Sequence, residues 1–176
     1  MWMSGGSAPG KLIRRKAIVR AVVQPLRMDA FPSLLDNLAA GSGLAALTVL
    51  LHTGGLILIA ALVPPLARRL GLHADDAGRT LSMTAVVLGI LALLTVEIWT
   101  WATAYAALGV NRDFGDALWF STSMFSTLGY GGASFDPKWR LLTALEGVNG
   151  FLMIGWSTAY LVRASTLHGP FRERHF

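Results

Sequence analysis

The chain has 176 residues, 53% hydrophobic and 14% charged, with a formal net charge of +5 and a mean hydropathy of +0.52. Its apolar residues fall in long blocks rather than short alternating runs, which points to an integral membrane protein of one domain. The absence of cysteine excludes disulfides, thiolate metal sites and thiol catalysis, and the basic charge clusters beside apolar segments with no aromatic-basic platform, which suits lipid headgroups or the cytoplasm rather than nucleic acid.

Residues 1–27 open with Gly, Ser and Pro and then carry Lys11, Arg14, Arg15, Lys16, Arg20 and Arg27 among short apolar residues. This fits either an interfacial amphipathic helix or a disordered arm; Arg20 interrupts the apolar run 17–23, so a signal peptide is not indicated. A first spanning segment is expected over residues 44–63, stopped by Pro64 and Pro65 and followed by Arg68 and Arg69. After a polar connector, a second apolar segment covers 80–108, with Trp99, Trp101 and Tyr105 read as an aromatic belt at its far end. Residues 114–126 form a short amphipathic stretch, too short to span and so expected to be a re-entrant helix, with Asp113 able to cap it and Asp116 suiting its positive end. A third span is expected over 139–162, ending at Arg163, with Trp139 as an interface anchor.

Between the re-entrant helix and the third span lie Thr127, Leu128, Gly129, Tyr130 and Gly131. A backbone that strips water from a cation must turn several carbonyls toward one axis, and that requires conformations glycine adopts freely. A helix that stops inside the membrane also aims the negative end of its dipole, and its unpaired carbonyls, at whatever lies beyond. Thr127 would add a carbonyl and a hydroxyl at the inner mouth. Taken alone, the five residues read more simply as an ordinary glycine turn between helices; the short helix before them and the glycine-punctuated helix after them favour an ion filter. One loop cannot surround an ion, so four chains are implied.

FSTSMFSTLGYG (residues 120–131) followed by WRLLTALEGVNGFLMIGWSTAYL (residues 139–161) resembles the pore helix, filter and inner helix of small bacterial channels in the potassium-channel pore-domain superfamily. The second apolar segment resembles their outer helix. The resemblance implies an all-α membrane protein with the potassium-channel pore fold: outer helix, re-entrant pore helix and filter loop, and inner helix, here with one extra N-terminal transmembrane helix. The domains it implies are a basic N-terminal extension at 1–43, peripheral or disordered, an extra transmembrane helix at 44–66, a pore domain at 80–163 and a short basic cytoplasmic tail at 164–176. It further implies a homotetramer in a bacterial inner membrane, crossing it several times, with no enzymatic activity, no cofactor beyond the permeant potassium ion, and the bilayer as its other partner. Potassium would be held by Thr127, Leu128, Gly129 and Tyr130, with Gly131 completing the motif. Trp119 would donate toward Tyr130, while its neighbour Phe120 cannot. Gly150 falls where such inner helices bend, and Leu152, Gly155 and Ala159 would line the pore. The chain departs from the family in having Gly132 where aspartate is usual and Ser123 where many relatives have glutamate, so the usual carboxyl pair behind the filter is missing.

Gly147, Gly150 and Gly155 serve equally well as close-packing sites or as bending points. His52, Glu97 and Glu146 are ionisable groups inside apolar segments, either a satisfied structural cluster or a sensor. Counting 1.5 Å per residue from the outer ends puts His52 about 12 Å deep, Glu97 about 18 Å and Glu146 about 11 Å. All three are therefore expected in one polar cluster behind the filter, His52 pairing with Glu97 and Glu146 reaching the pore helix or filter backbone. Together with Trp119 and Ser123, Glu146 would support the filter. No segment carries the arginine periodicity of a voltage sensor. An outward-facing filter puts the N-terminus outside as well, which conflicts with the basic residues 11–27. A start at Met28 would leave only Asp29 and Asp36 before the first helix, so residues 1–27 are expected to be dispensable. A cation pore of relaxed selectivity and a non-conducting subunit with a vestigial filter are the competing functions.

Overall fold

The computed structural model describes residues 30–72, 75–111, 113–129 and 137–168. Four α-helices occur among them: α1 (Ala30–Arg69), α2 (Asp76–Ala107), α3 (Phe114–Phe125) and α4 (Arg140–His168), with a 3-10 turn at Pro137–Trp139 leading into α4. There is no strand among the described residues, and the protein is all-α. The packing described below belongs to the compact unit Asp36–Phe176; of the preceding unit, Met1–Leu35, only residues 30–35 are described, and they are helical. Residues 1–27 lie outside the described residues.

Composition explains the two long helices. α1 and α2 hold the spans Leu34–Arg69 and Asp76–Ala107, both long and apolar enough to cross a membrane. α4, at about 44 Å by its helical rise, has the length of a crossing. It is less apolar, because Thr143, Glu146, Asn149 and Ser157 fall in it, and all four are buried against the rest of the chain.

The expected stop at Pro64 and Pro65 is not observed, because α1 runs through both prolines to Arg69. The prolines remove the N–H donors that would reach the carbonyls of Ala60 and Ala61, but Ala67, one turn further on, is buried and keeps the segment packed. α1 ends instead at Gly71 and α2 at Gly109, each left-handed (φ 69° and 70°). In both, the following N–H returns to a carbonyl of the last turn, Leu72 to Ala67 at 2.9 Å and Val110 to Tyr105 at 2.9 Å. α2 begins at an Asp75 cap, whose carboxylate accepts from the Gly78 N–H at 2.9 Å.

α3 packs against α2 and α4, and the core forms around it. Trp101, Ala102 and Tyr105 from α2, Ala117, Phe120 and Phe125 from α3, and Leu142 and Met153 from α4 are buried together with Trp139. Tyr105 meets Phe120 edge-on at 5.3 Å between ring centres. This corrects the reading of Trp101, Tyr105 and Trp139 as interface aromatics. Trp101 and Tyr105 are four residues apart and share the inner helix face, whereas Trp99 points outward and is 52% exposed.

Polar side chains link α1 to the other helices. Asn37 donates to the Lys138 carbonyl at 2.9 Å and accepts from the Leu142 N–H at 3.1 Å. It thereby satisfies one of the free donors in the first turn of α4 from a different helix. Asn149 on α4 donates to the Thr48 hydroxyl at 2.8 Å. Lower down, Leu56 and Ile59 pack with Val86, Ile90 and Ala164 in a second apolar cluster.

Candidate functional site: a half-length helix and the loop that follows it

α3 has 12 residues and is therefore about 18 Å long, roughly half of a bilayer's hydrocarbon core. Asp113 takes the N-cap position, its carboxylate accepting from the Asp116 N–H at 3.2 Å, and Asp116 adds a second negative charge to the first turn. At the other end the chain leaves the helix sharply. The N–H of Ser126 bonds to Thr122 O at 3.1 Å, that of Thr127 to Met124 O at 3.0 Å, and that of Gly129 reaches back to Ser123 O at 3.1 Å.

Two residues in this exit are left-handed, Thr127 at φ 63° and Gly129 at φ 68°. Glycine accepts that conformation freely, but a β-branched residue resists it. Thr127 is the sole non-glycine residue with positive φ among those described. Such strain costs on the order of 1–3 kcal/mol and persists only where the surroundings over-determine it; here the Thr127 and Gly129 amides are both anchored to α3 carbonyls. The sequence reading assigned the unusual backbone to glycines and missed Thr127, since no local signal marks a threonine for this region. Thr127, Leu128 and Gly129 are all exposed on the single chain, and Tyr130, Gly131 and Gly132 lie outside the described residues.

Glu146 braces α3 from behind. Its carboxylate is fully buried and accepts from the Tyr105 hydroxyl of α2 and from the Ser121 hydroxyl of α3, the latter at 2.6 Å. Ser121 also lies 3.0 Å from Ile98 O. One carboxylate thus ties α2, α3 and α4 together. Ser123 contributes differently from the expectation: its hydroxyl turns back to Phe120 O at 2.8 Å, and its own carbonyl receives the Gly129 amide. Trp119 is 57% exposed.

His52 and Glu97 are brought together, Nδ1 to Oε1 at 2.8 Å with both side chains fully buried, and the His52 ring lies 5.4 Å from that of Trp156. The expected single cluster is, however, two separate groups. No hydrogen bond among the described residues joins His52 and Glu97 to Glu146, because Glu97 faces α1 while Glu146 faces α2 and α3. Residues that sequence reasoning missed here are Tyr105 and Ser121; a tyrosine and a serine inside apolar helices were the available signal.

The glycines of α4 divide. Gly150 is buried directly beneath the end of α3, where a Cβ would collide with the Phe125 carbonyl, and Gly147 faces Met124 O at 3.6 Å. Gly150 is a close-approach site, whereas Gly147 is in ordinary contact, and α4 continues unbroken through both. Gly155 has open space around it, and with Leu152 and Ala159 it lies on a face of α4 that the chain leaves exposed. Gly150→Ala should therefore lower stability by about 1–3 kcal/mol, since the obstacle is backbone and cannot swing away. Gly155→Ala should stay within about 0.5 kcal/mol. Denaturant unfolding of the two variants in micelles checks this, and equal effects would contradict the packing.

Residues 93–166 match the family model described as an ion channel. This segment is similar to an ion-channel domain. It takes in the second half of α2, the whole of α3 and nearly all of α4, and it leaves α1 outside. No curated protein and no solved structure matches the chain. That family model is of a two-transmembrane channel domain, and the all-helical order of α2, α3 and α4 is consistent with it. The protein is a membrane protein with one extra N-terminal helix.

Proposed function

We propose that this protein is a passive potassium-selective channel in which four copies surround one axis. Thr127, Leu128, Gly129, Tyr130 and Gly131 of each copy form the filter, and a bacterial inner membrane, crossed by α1, α2 and α4, is its setting. The observation that carries this reading is the strained Thr127. A left-handed threonine followed two residues later by a left-handed glycine (φ 63° and 68°) is costly for a simple connector. It is useful for a loop that must turn successive carbonyls to one side, toward a cation stripped of water.

Two further features support assembly. A groove of about 470 Å³ opens beside the loop, flanked by Met124, Thr127, Gly129, Val148 and Phe151, where a neighbouring subunit would pack. The exposed Leu152, Gly155 and Ala159 give a small, apolar lining for a shared cavity below the filter. With the filter facing outward, Arg68, Arg69, Arg79 and Arg163 fall on the cytoplasmic side, as positive charge near spans prefers.

The test is ion flux in liposomes containing the purified protein. Potassium should pass more than about tenfold faster than sodium, a discrimination exceeding about 1.4 kcal/mol. Gly129→Ala should abolish the flux, because alanine at this φ is disfavoured by about 1–2 kcal/mol in every one of the four filters. Equal potassium and sodium rates would identify a cation pore of relaxed selectivity, and no flux of either ion a non-conducting subunit.

A further inference from the structure

At the end of the bundle where α1 and α4 finish and α2 begins, the three helices do not fill the space between them. They leave a cavity of about 190 Å³ walled by Ile59 and Val63 of α1, Met83 and Val86 of α2, and Tyr160 and Arg163 of α4. Its lining is almost wholly apolar, and it sits directly on the packed cluster of Leu56, Ile90 and Ala164. Pro64 forms part of the wall, and with Pro65 it leaves the carbonyls of Ala60 and Ala61 without their helical donors.

The charge at this end is one-sided. Arg163 reaches the cavity with no acidic partner among the described residues, and Arg68 and Arg69 close α1 on the same side. The acidic groups here are already engaged: Asp75 caps the Gly78 amide, and Asp76 pairs with Arg79 at 3.3 Å. An apolar slot beside an unpaired cation, in a protein that sits in a membrane, matches a molecule with a hydrocarbon chain and a negative head.

We propose that this cavity binds a segment of one acyl chain of an anionic phospholipid, the rest of the chain leaving through its open side, with the lipid phosphate held by Arg163, so that the lipid is wedged between α1 and the helices α2 and α4. The site lies at the opposite end of the helices from the filter loop and does not depend on which ion the filter passes. Because α1 supplies one wall, the lipid would help to fasten the extra helix to the domain it accompanies.

Photolabelling of the full chain in mild detergent tests this, using phosphatidylglycerol and phosphatidylcholine with the same diazirine-bearing acyl chain. Phosphatidylglycerol adducts should concentrate on residues 59–67, 82–86 and 160–164 and exceed phosphatidylcholine adducts there about fivefold, the preference expected of one arginine near an anionic headgroup. Arg163→Gln should bring the two lipids level. Met83→Trp, which fills the cavity, should remove adducts from all three segments while leaving labelling of the outward-facing Leu88 and Leu91 unchanged. Millimolar inorganic phosphate should not compete, because it lacks the chain. Equal labelling by both lipids in the parent, adducts confined to outward-facing leucines, or a preference that survives Arg163→Gln would each overturn the proposal. The parent and Arg163→Gln decide the matter even if Met83→Trp does not fold.

Discussion

Replacing Glu146 with leucine should destabilise the folded chain by about 3 kcal/mol, well above the few tenths expected of a change on an outward face. The carboxylate is fully buried and accepts from Tyr105 of α2 and Ser121 of α3. Leucine would fill most of the volume but accept nothing. Ser121 would keep Ile98 O at 3.0 Å, so the loss falls chiefly on the Tyr105 hydroxyl, buried without a partner. Tyr105→Phe should cost less, about 1 kcal/mol, because it removes a donor and leaves Glu146 bonded to Ser121. Glu146→Gln should fall between the two, since its amide oxygen can serve one of the two hydroxyls. The measurement is denaturant unfolding of micelle-bound protein, with Val162→Ala as an outward-facing control. If Glu146→Leu is no worse than the control, the carboxylate does not hold α2, α3 and α4 together. A loosened α3 should also reduce flux, because the Gly129 amide hangs on the Ser123 carbonyl of that helix.

The parts of this architecture that local chemistry specifies could be read from the sequence. An aspartate before a short apolar run marks a cap, and Asp113 is the cap. A stretch of 12 residues is too short to cross, whatever it packs against. Helical rise places His52 and Glu97 within a few turns of one another, and they lie 2.8 Å apart. The contacts that sequence missed depend on rotation about the helix axis and on partners far away in the chain. Tyr105 can be a belt residue or a core residue depending on phase, and the packing of α3 decides that it is core. Asn37 meets Leu142 across 105 positions, which no local periodicity encodes. Pro64 and Pro65 did not end α1 because tertiary packing at Ala67 outweighs a local penalty. Thr127 is the extreme case: its backbone opposes its own preference, and only the surrounding hydrogen bonds reveal why.

For the pair between α1 and α2, His52→Leu and Glu97→Leu should each cost about 2–4 kcal/mol, whereas the double substitution should lie close to the parent. The reason is the asymmetry of buried polar groups. His52 Nδ1 and Glu97 Oε1 satisfy each other at 2.8 Å, but His52 Nε2 and Glu97 Oε2 have no partner among the described residues. Burying these groups is therefore expensive, and one contact offsets only part of that expense. Removing one member leaves the other buried and alone; removing both eliminates the whole desolvation penalty and supplies apolar surface in its place. A double-mutant cycle on the unfolding free energy should accordingly give a coupling of about 4 kcal/mol or more. Near-neutral single variants would mean that these side chains reach water and that the pair is not sealed between the helices. A pair with so little net stabilisation has a clearer use in fixing position. Around Leu56 the contacts between α1 and α2 are apolar, with Leu93 seated on Gly55 and Ile59 on Gly89, and apolar contact alone sets a register less sharply than a buried polar pair does. The single bond from His52 to Glu97 permits one register, and one turn closer to the amino end the Thr48 to Asn149 bond enforces the same one. The stability of the double variant should thus be accompanied by a looser α1. Cross-linking of engineered cysteines on α1 and α2 reads this directly: the parent should form one register-specific bond, and the double variant several. A double variant that retains the single bond would assign the register to Thr48 and Asn149 instead.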